Sequence, residues 1–124
     1  MDKLQLKMCD IQGRLFERSG ANGYDSATFI KVFMTGDVAK GLDSKFNRLQ
    51  WAGEEYLLAE VVDTSKLTKG GTVYDKEVLY WAGYLYRFWH FATGEDSKAI
   101  YRQAPAETMS HFRHYHYGLC RRPG

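Results

Sequence analysis

Three groups of residues have types and spacings that could do chemistry. In the segment ETMSHFRHYHYG, Glu107, His111 and His114 fall at i, i+4 and i+7 on one helical face, with His116 two residues beyond. Zinc takes carboxylate and imidazole ligands, and histidines about one helical turn apart can share an ion. The pattern is not His-Glu-x-x-His, and no second Cys or His cluster completes the shell. A solvated helix, with histidines suited to its negative C-terminal end, is the competing reading. The second group is basic. Lys98 and Arg102 share a face at i, i+4 and, with Arg113, Arg121 and Arg122, would contact phosphates while Tyr101 and Tyr115 stack on bases. A pI near 8.5 falls short of a strongly basic footprint. Two short helices joined at Met34-Thr35-Gly36 mimic a helix-turn-helix, but Asp37 and Asp43 would then face phosphate. The third group is Glu54-Glu55. Neighbours on a helix point about 100° apart, so these two do not form a paired-carboxylate site. No serine or threonine sits in a nucleophile elbow, and Gly70-Gly71 lacks the Lys-Ser/Thr of a phosphate loop. Neither catalysis nor a cofactor is expected.

Helical periodicity supplies the elements that would position these groups. Leu4, Met8, Ile11 and Leu15 form one amphipathic stripe that ends near Ser19-Gly20. Asn22-Gly23 is a turn signal, and Asp25 can cap a second helix whose apolar side is Phe29, Ile30 and Phe33. Gly36-Asp37 restarts the chain into a short helix with Val38, Ala39 and Leu42. Asp43-Ser44 is expected to cap a longer fourth helix holding Phe46, Leu49, Tyr56, Leu57 and Val61, with Gly53 inside it. Residues 64–73 read as a flexible loop around Gly70-Gly71. A fifth helix spans about 76–93 from an Asp75 cap to Gly94 at its C-terminal end. Asp96 or Ser97 starts a sixth, and Pro105 opens a seventh, where a missing N–H costs nothing.

The segment VLYWAGYLYRFWHFA (78–92) is apolar on nearly every side, which predicts a buried central helix. Its tyrosine edge, Tyr80 and Tyr84, is the alternative partner-facing side, because Tyr and Trp concentrate in interface cores. Arg87 is its strongest polar exception. It is expected to snorkel to the surface, to bind a ligand or to pair with an acid of the fourth helix, Glu54, Glu55 or Glu60. Tyr80, Tyr84, Arg87, Glu54 and Glu55 are therefore the candidate partner-binding residues. The fold these patterns predict is all-α: one domain over 1–124, a bundle of about five to seven helices around the aromatic helix.

Composition agrees with that class. The 124 residues are 44% apolar and 26% charged, with net charge +2, so neither a disordered segment nor a polyanion-binding surface is indicated. Charge is uneven: residues 1–64 carry 8 Lys/Arg against 10 Asp/Glu, and residues 65–124 carry 9 against 5, with a short basic tail at 118–124. Cys9 lies in an apolar stripe and Cys120 in the tail, which is neither a disulfide framework nor a metal spacing. No apolar run approaches the ~20 residues that span a bilayer. The N-terminus lacks a signal-peptide core, so a cytoplasmic location is expected.

Residues 4–63 resemble a family of small uncharacterised bacterial helical proteins. The matching residues are Gly23-Tyr24-Asp25-Ser26, Phe29, and Gly53-Glu54-Glu55-Tyr56-Leu57-Leu58 through Val62-Asp63. The second half is similar to longer relatives through Leu79-Tyr80-Trp81-Ala82-Gly83-Tyr84-Leu85-Tyr86-Arg87, Trp89-His90 and Thr93-Gly94-Glu95 to Ile100-Tyr101, extending the resemblance to about residue 116. Genes of this kind often lie beside genes for ADP-ribosyltransferase-like toxins. The resemblance thus implies an antitoxin or accessory role, with that toxin as protein partner, and self-association as a further option. Those relatives continue into an acidic tail, where this chain reads Leu119-Cys120-Arg121-Arg122-Pro123-Gly124, so a partner gripped by that tail would be bound differently here.

Overall fold

In the computed structural model, backbone is described for residues 1–44 and 48–116, and side chains for 1–44 and 49–111. Asp2 starts the first helix. Its carboxylate accepts the Gln5 amide at 2.8 Å, and the Asp2 amide donates to the Gln5 side chain at 3.2 Å. This reciprocal box satisfies amides that have no intrahelical partner. Helix α1 (Lys3–Ala21) then carries its apolar stripe inward, with Met8, Leu15 and Phe16 buried and Leu4 and Ile11 packed at the edge of the core.

Six more helices follow among the described residues: α2 (Ser26–Met34), α3 (Asp37–Asp43), α4 (Glu54–Ser65), α5 (Lys76–Thr93), α6 (Ser97–Gln103) and α7 (Ala106–His116). No strand occurs among the described residues, and one isolated antiparallel bridge joins Tyr24 to Lys69. The all-α class predicted from periodicity is the class observed. Asp25 and Asp96 cap α2 and α6 by accepting from Thr28 and Ala99, and Gly94 takes the left-handed conformation that ends α5.

The fourth helix is corrected. Asp43 closes α3 instead of capping a further helix, a short 3-10 turn occupies Arg48–Trp51, and α4 begins at Glu54 with Gly53 as its N-cap. Glycine prefers the cap to a helix interior, where it costs about 1 kcal/mol against alanine. Phe46 lies outside the described residues, as do the basic tail 118–124 and Cys120.

Helices α1 and α5 run antiparallel along most of their length, because small residues let their backbones touch. A Cβ on Gly83 would overlap the Gln12 carbonyl and lie 2.9 Å from the Gly13 Cα; one on Gly13 would lie 2.8 Å from the Tyr80 carbonyl oxygen and ring. The Gln12 side chain clamps the crossing by donating to the Gly83 carbonyl at 2.9 Å. Beside it, the Phe16 ring meets Phe29 and Phe33 edge-on, at centroid distances of 5.5 and 5.4 Å. Such pairs add about 0.5–1.5 kcal/mol to burial alone. Cys9 is sealed in the same core, and burial pushes its thiol up to about 12.

The segment expected as a flexible loop is tied to the turn between α1 and α2. The Gly70 amide donates to the Gly23 carbonyl, and the Tyr74 amide to the Ser26 hydroxyl. The Ser26 amide donates to the Thr72 carbonyl, and the Thr72 amide to Asp25 Oδ1 at 2.8 Å. Asp25 thus serves two elements: it caps α2 with Oδ2 and holds the loop with Oδ1. Hydrogen bonds from the Thr28 hydroxyl, the Thr72 amide and the Thr28 amide hold its carboxyl below the usual range. A depressed folded-state pKa stabilises above the unfolded value of about 3.9, and that stabilisation is lost as pH falls through the folded value. Asp25→Ala is expected to cost about 1–2 kcal/mol at pH 7, as for a lost cap. It should also speed hydrogen exchange at the Thr72 amide. The penalty should shrink below about pH 4, where the carboxyl of the unfolded chain protonates, and disappear as pH falls through the lower folded value.

Candidate functional site

The most polar part of the interior is built around Arg87. Its place on α5 turns it toward α1, α3 and α6, and its side chain is 1% exposed. Every nitrogen is used: Nε donates to the Gln12 amide oxygen at 2.8 Å, Nη1 to Asp43 Oδ1 at 2.6 Å and Nη2 to the Ser97 hydroxyl at 3.3 Å. Asp43 is 11% exposed, and it also accepts from the Ser97 hydroxyl and amide, both at 2.8 Å, which makes it a cap for α6 from another element. Burial pulls the Arg87 pKa down, and the Asp43 carboxylate opposes that pull. One turn along α5, His90 Nδ1 lies 2.6 Å from the Glu95 carbonyl and 3.6 Å from Asp43. A carbonyl only accepts, so Nδ1 carries the proton. Trp89 Nε1 donates to Glu95 Oε2 at 2.7 Å and ties the end of α5 to the start of α6.

This arrangement fastens helices. Each guanidinium nitrogen is bonded to a fixed acceptor of another element, and the Ser97 hydroxyl donates to an Asp43 carboxylate that is itself ion-paired to Arg87. Arg87 therefore neither snorkels nor presents a ligand site, and its partner is the α3 acid, not an acid of α4. Asp43 points inward, which removes it from the phosphate-facing position expected of it.

The other sequence-predicted residues are dispersed. Tyr80 is buried, with its ring over Gly13 and its hydroxyl donating to Asp10 at 2.5 Å, so it offers no partner-facing edge. Tyr84 is half-buried against the Tyr80 and Trp81 rings. Glu54 is half-buried on the first turn of α4, and Glu55 is exposed with Arg18 at 3.3 Å. Lys98 and Arg102 are exposed on α6, as are Glu107 and His111 on α7. The side chains of Arg113 and His114 lie outside the described residues. Among the described residues no three His, Cys, Asp or Glu are grouped to hold a metal ion.

The most exposed aromatics among the described residues are Trp51 and Tyr56, neither of which the sequence marks as a site; Tyr56, expected among the apolar residues of the fourth helix, is exposed instead. Trp51, ending the 3-10 turn, is 76% exposed, and Tyr56 on the first turn of α4 is 54% exposed. They flank Glu54 and Glu55, and the Gly53 cap between them brings no side chain within reach of another element. The only sequence signal was an aromatic at each side of an Ala-Gly-Glu-Glu run.

No family model, curated protein or solved structure matches this chain. The geometry of its own residues therefore carries the functional argument. Among the described residues no helix is long and apolar enough to cross a membrane.

Proposed function

We propose that this chain is a small helical protein-interaction module whose partner docks on the start of α4. The observation that carries the reading is the pair Trp51 and Tyr56, both more than half exposed within six positions and flanking two carboxylates. Exposing an indole and a phenol together leaves apolar area in water, and these two side chains dominate interface energetics when covered. Glu54 and Glu55 sit where the helix N-terminus favours negative charge, and they give the patch an acidic rim that suits a basic partner surface. In this reading the chain is no enzyme, and the buried polar cluster serves as scaffold. The family resemblance narrows the partner to an ADP-ribosyltransferase-like toxin encoded next door, with this chain as antitoxin or accessory subunit in the cytoplasm. The rival reading, a DNA-binding regulator, has Lys98 and Arg102 exposed in its favour, but exposed Asp37 at the start of α3 opposes it.

Co-purification with the neighbouring gene product is the direct test. Trp51→Ala and Tyr56→Ala are each expected to weaken that complex by about 2 kcal/mol or more, as interface hot spots do. Each should change folding stability by no more than about 0.5 kcal/mol, as exposed substitutions do. Binding unaltered by both changes would remove this surface from consideration.

A further inference from the structure

A cleft of about 180 Å³ opens where the end of α4 meets the corner between α2 and α3, at the opposite end of α4 from Trp51 and Tyr56. Its floor is apolar: Phe33, Val38 and Val61 line it and are 1, 6 and 3% exposed. Its polar side chains are Asp37, Thr64 and Ser65. The Asp37 carboxylate makes no hydrogen bond or ion pair among the described residues. The Thr64 hydroxyl donates to the Glu60 carbonyl at 2.7 Å, and the Ser65 hydroxyl donates to the Val61 carbonyl. Both protons are spent inside α4, so these hydroxyls have only lone pairs left to offer. The backbone adds acceptors. Val32 and Phe33 belong to the last turn of α2, and Thr64 and Ser65 to the last turn of α4, where a helix carries partial negative charge. The Gly36 amide donates to the Phe33 carbonyl and not to that of Val32, four residues back. A Cβ on Gly36 would lie 2.7 Å from the Val32 oxygen, which places that acceptor at the corner. Helix α3 also starts here, but Asp37 at its first position offsets the positive end of a helix of only seven residues. Lys31, Lys40 and Lys66, the nearest lysines in the chain, are exposed, and none of them lines the cleft.

We infer that this cleft binds a small aliphatic ammonium, its carbon stem on the apolar floor and its N–H groups on Asp37 and the helix ends. The side chains of the lining offer acceptors and a carboxylate, with no cation among them. An ammonium brings three donors and no acceptor, which is the complement of that set. An anion would be repelled by Asp37, and a neutral hydrocarbon would cover polar groups without bonding them. The volume is below the roughly 300–1,000 Å³ of sites for drug-sized ligands, so it suits a stem of about five carbons. A free alkylamine and the end of a lysine side chain on another chain both supply this chemistry.

The test follows backbone amide chemical shifts of the full chain during titration with pentylammonium, with pentanoate, and with lysine blocked at both backbone ends. Pentylammonium should shift the Gly36, Val38 and Ser65 amides with a Kd of about 1 mM, weak because few atoms enter an open cleft. Pentanoate, with the same stem and the opposite charge, should not. Asp37→Asn should weaken pentylammonium roughly 5-fold with unchanged helical circular dichroism, the scale of a charge partner lost at a solvent-open site. Asp63→Asn removes the same charge from an exposed α4 position outside the lining, and it should weaken binding less than about 2-fold. Binding of pentylammonium alone assigns the cleft to a free amine, and equal or tighter binding of the blocked lysine assigns it to a side chain of another chain. Pentanoate that binds as well as pentylammonium overturns the proposal, as does an Asp37→Asn variant that binds like wild type. So does the absence of a saturable shift from either amine up to about 20 mM.

Discussion

Replacing Arg87 with Met should lower folding stability by about 3–5 kcal/mol, measured as a shift of the urea midpoint with little change in slope. The change removes one member of a nearly dry ion pair and leaves Asp43, 11% exposed, facing the cavity. It also strands the Gln12 amide oxygen, which Arg87 holds at 2.8 Å, and leaves the Ser97 hydroxyl with Asp43 as its one remaining side-chain partner. A buried acceptor without a donor costs about 1–3 kcal/mol by itself. Since small domains hold a margin of only about 5–15 kcal/mol, the variant should populate unfolded chain at moderate temperature. Arg87→Lys should rescue little. A single ammonium cannot reach α1, α3 and α6 together from the place of a planar fork. Asp43→Leu combined with Arg87→Met should cost less than the two single changes summed, because a buried pair replaced whole leaves no lone charge. Full additivity would mean that the pair does not couple α3 to α5.

Gly83→Ala is the second large effect expected, at roughly 1–3 kcal/mol from overpacking. On an isolated helix the same change would stabilise by up to about 1 kcal/mol, since alanine is the better helix former. The crossing with α1 reverses the sign. The added carbon would overlap the Gln12 carbonyl and lie 2.9 Å from Gly13 Cα, and both are backbone, which cannot rotate aside. Separating the helices enough to admit a methyl group would loosen the bond from Gln12 to the Gly83 carbonyl and move Gln12 away from Arg87. The two sites should therefore couple. Gly53→Ala serves as the control: nothing lies within 4 Å of a Cβ there, so its cost should stay under about 1 kcal/mol, set by capping alone. Thermal melts of both variants against wild type give the comparison. An unaffected Gly83→Ala melt would show that the crossing can relax.

Much of this architecture was legible residue by residue. The α1 stripe, the Asp25 and Asp96 caps, the Gly94 stop and the apolar character of 78–92 all depend on neighbours within about four positions, the range over which helix and cap signals act. Local signals misled where a residue's partner lay far along the chain. Asp43-Ser44 reads as an N-cap, yet the Asp43 carboxylate bonds Arg87 and Ser97, 44 and 54 positions away, which leaves it unable to cap the next helix. Tyr80 and Tyr84 are equivalent by helical spacing. Tyr80 packs against Gly13 and bonds Asp10 on α1, which buries it, while Tyr84 stays half-covered. The exposure of Trp51 and Tyr56 comes from where the 3-10 turn releases the chain before α4, a position that no periodicity marks. Sequence by itself thus determined which segments are helical and which stripes are apolar, because those are short-range properties of backbone and side-chain spacing. Which polar groups meet in the interior was decided by tertiary packing, above all by the backbone contact that Gly13 and Gly83 allow between α1 and α5, and which aromatics stay exposed was decided by where the turn before α4 sets them, both long-range arrangements that residue spacing does not encode.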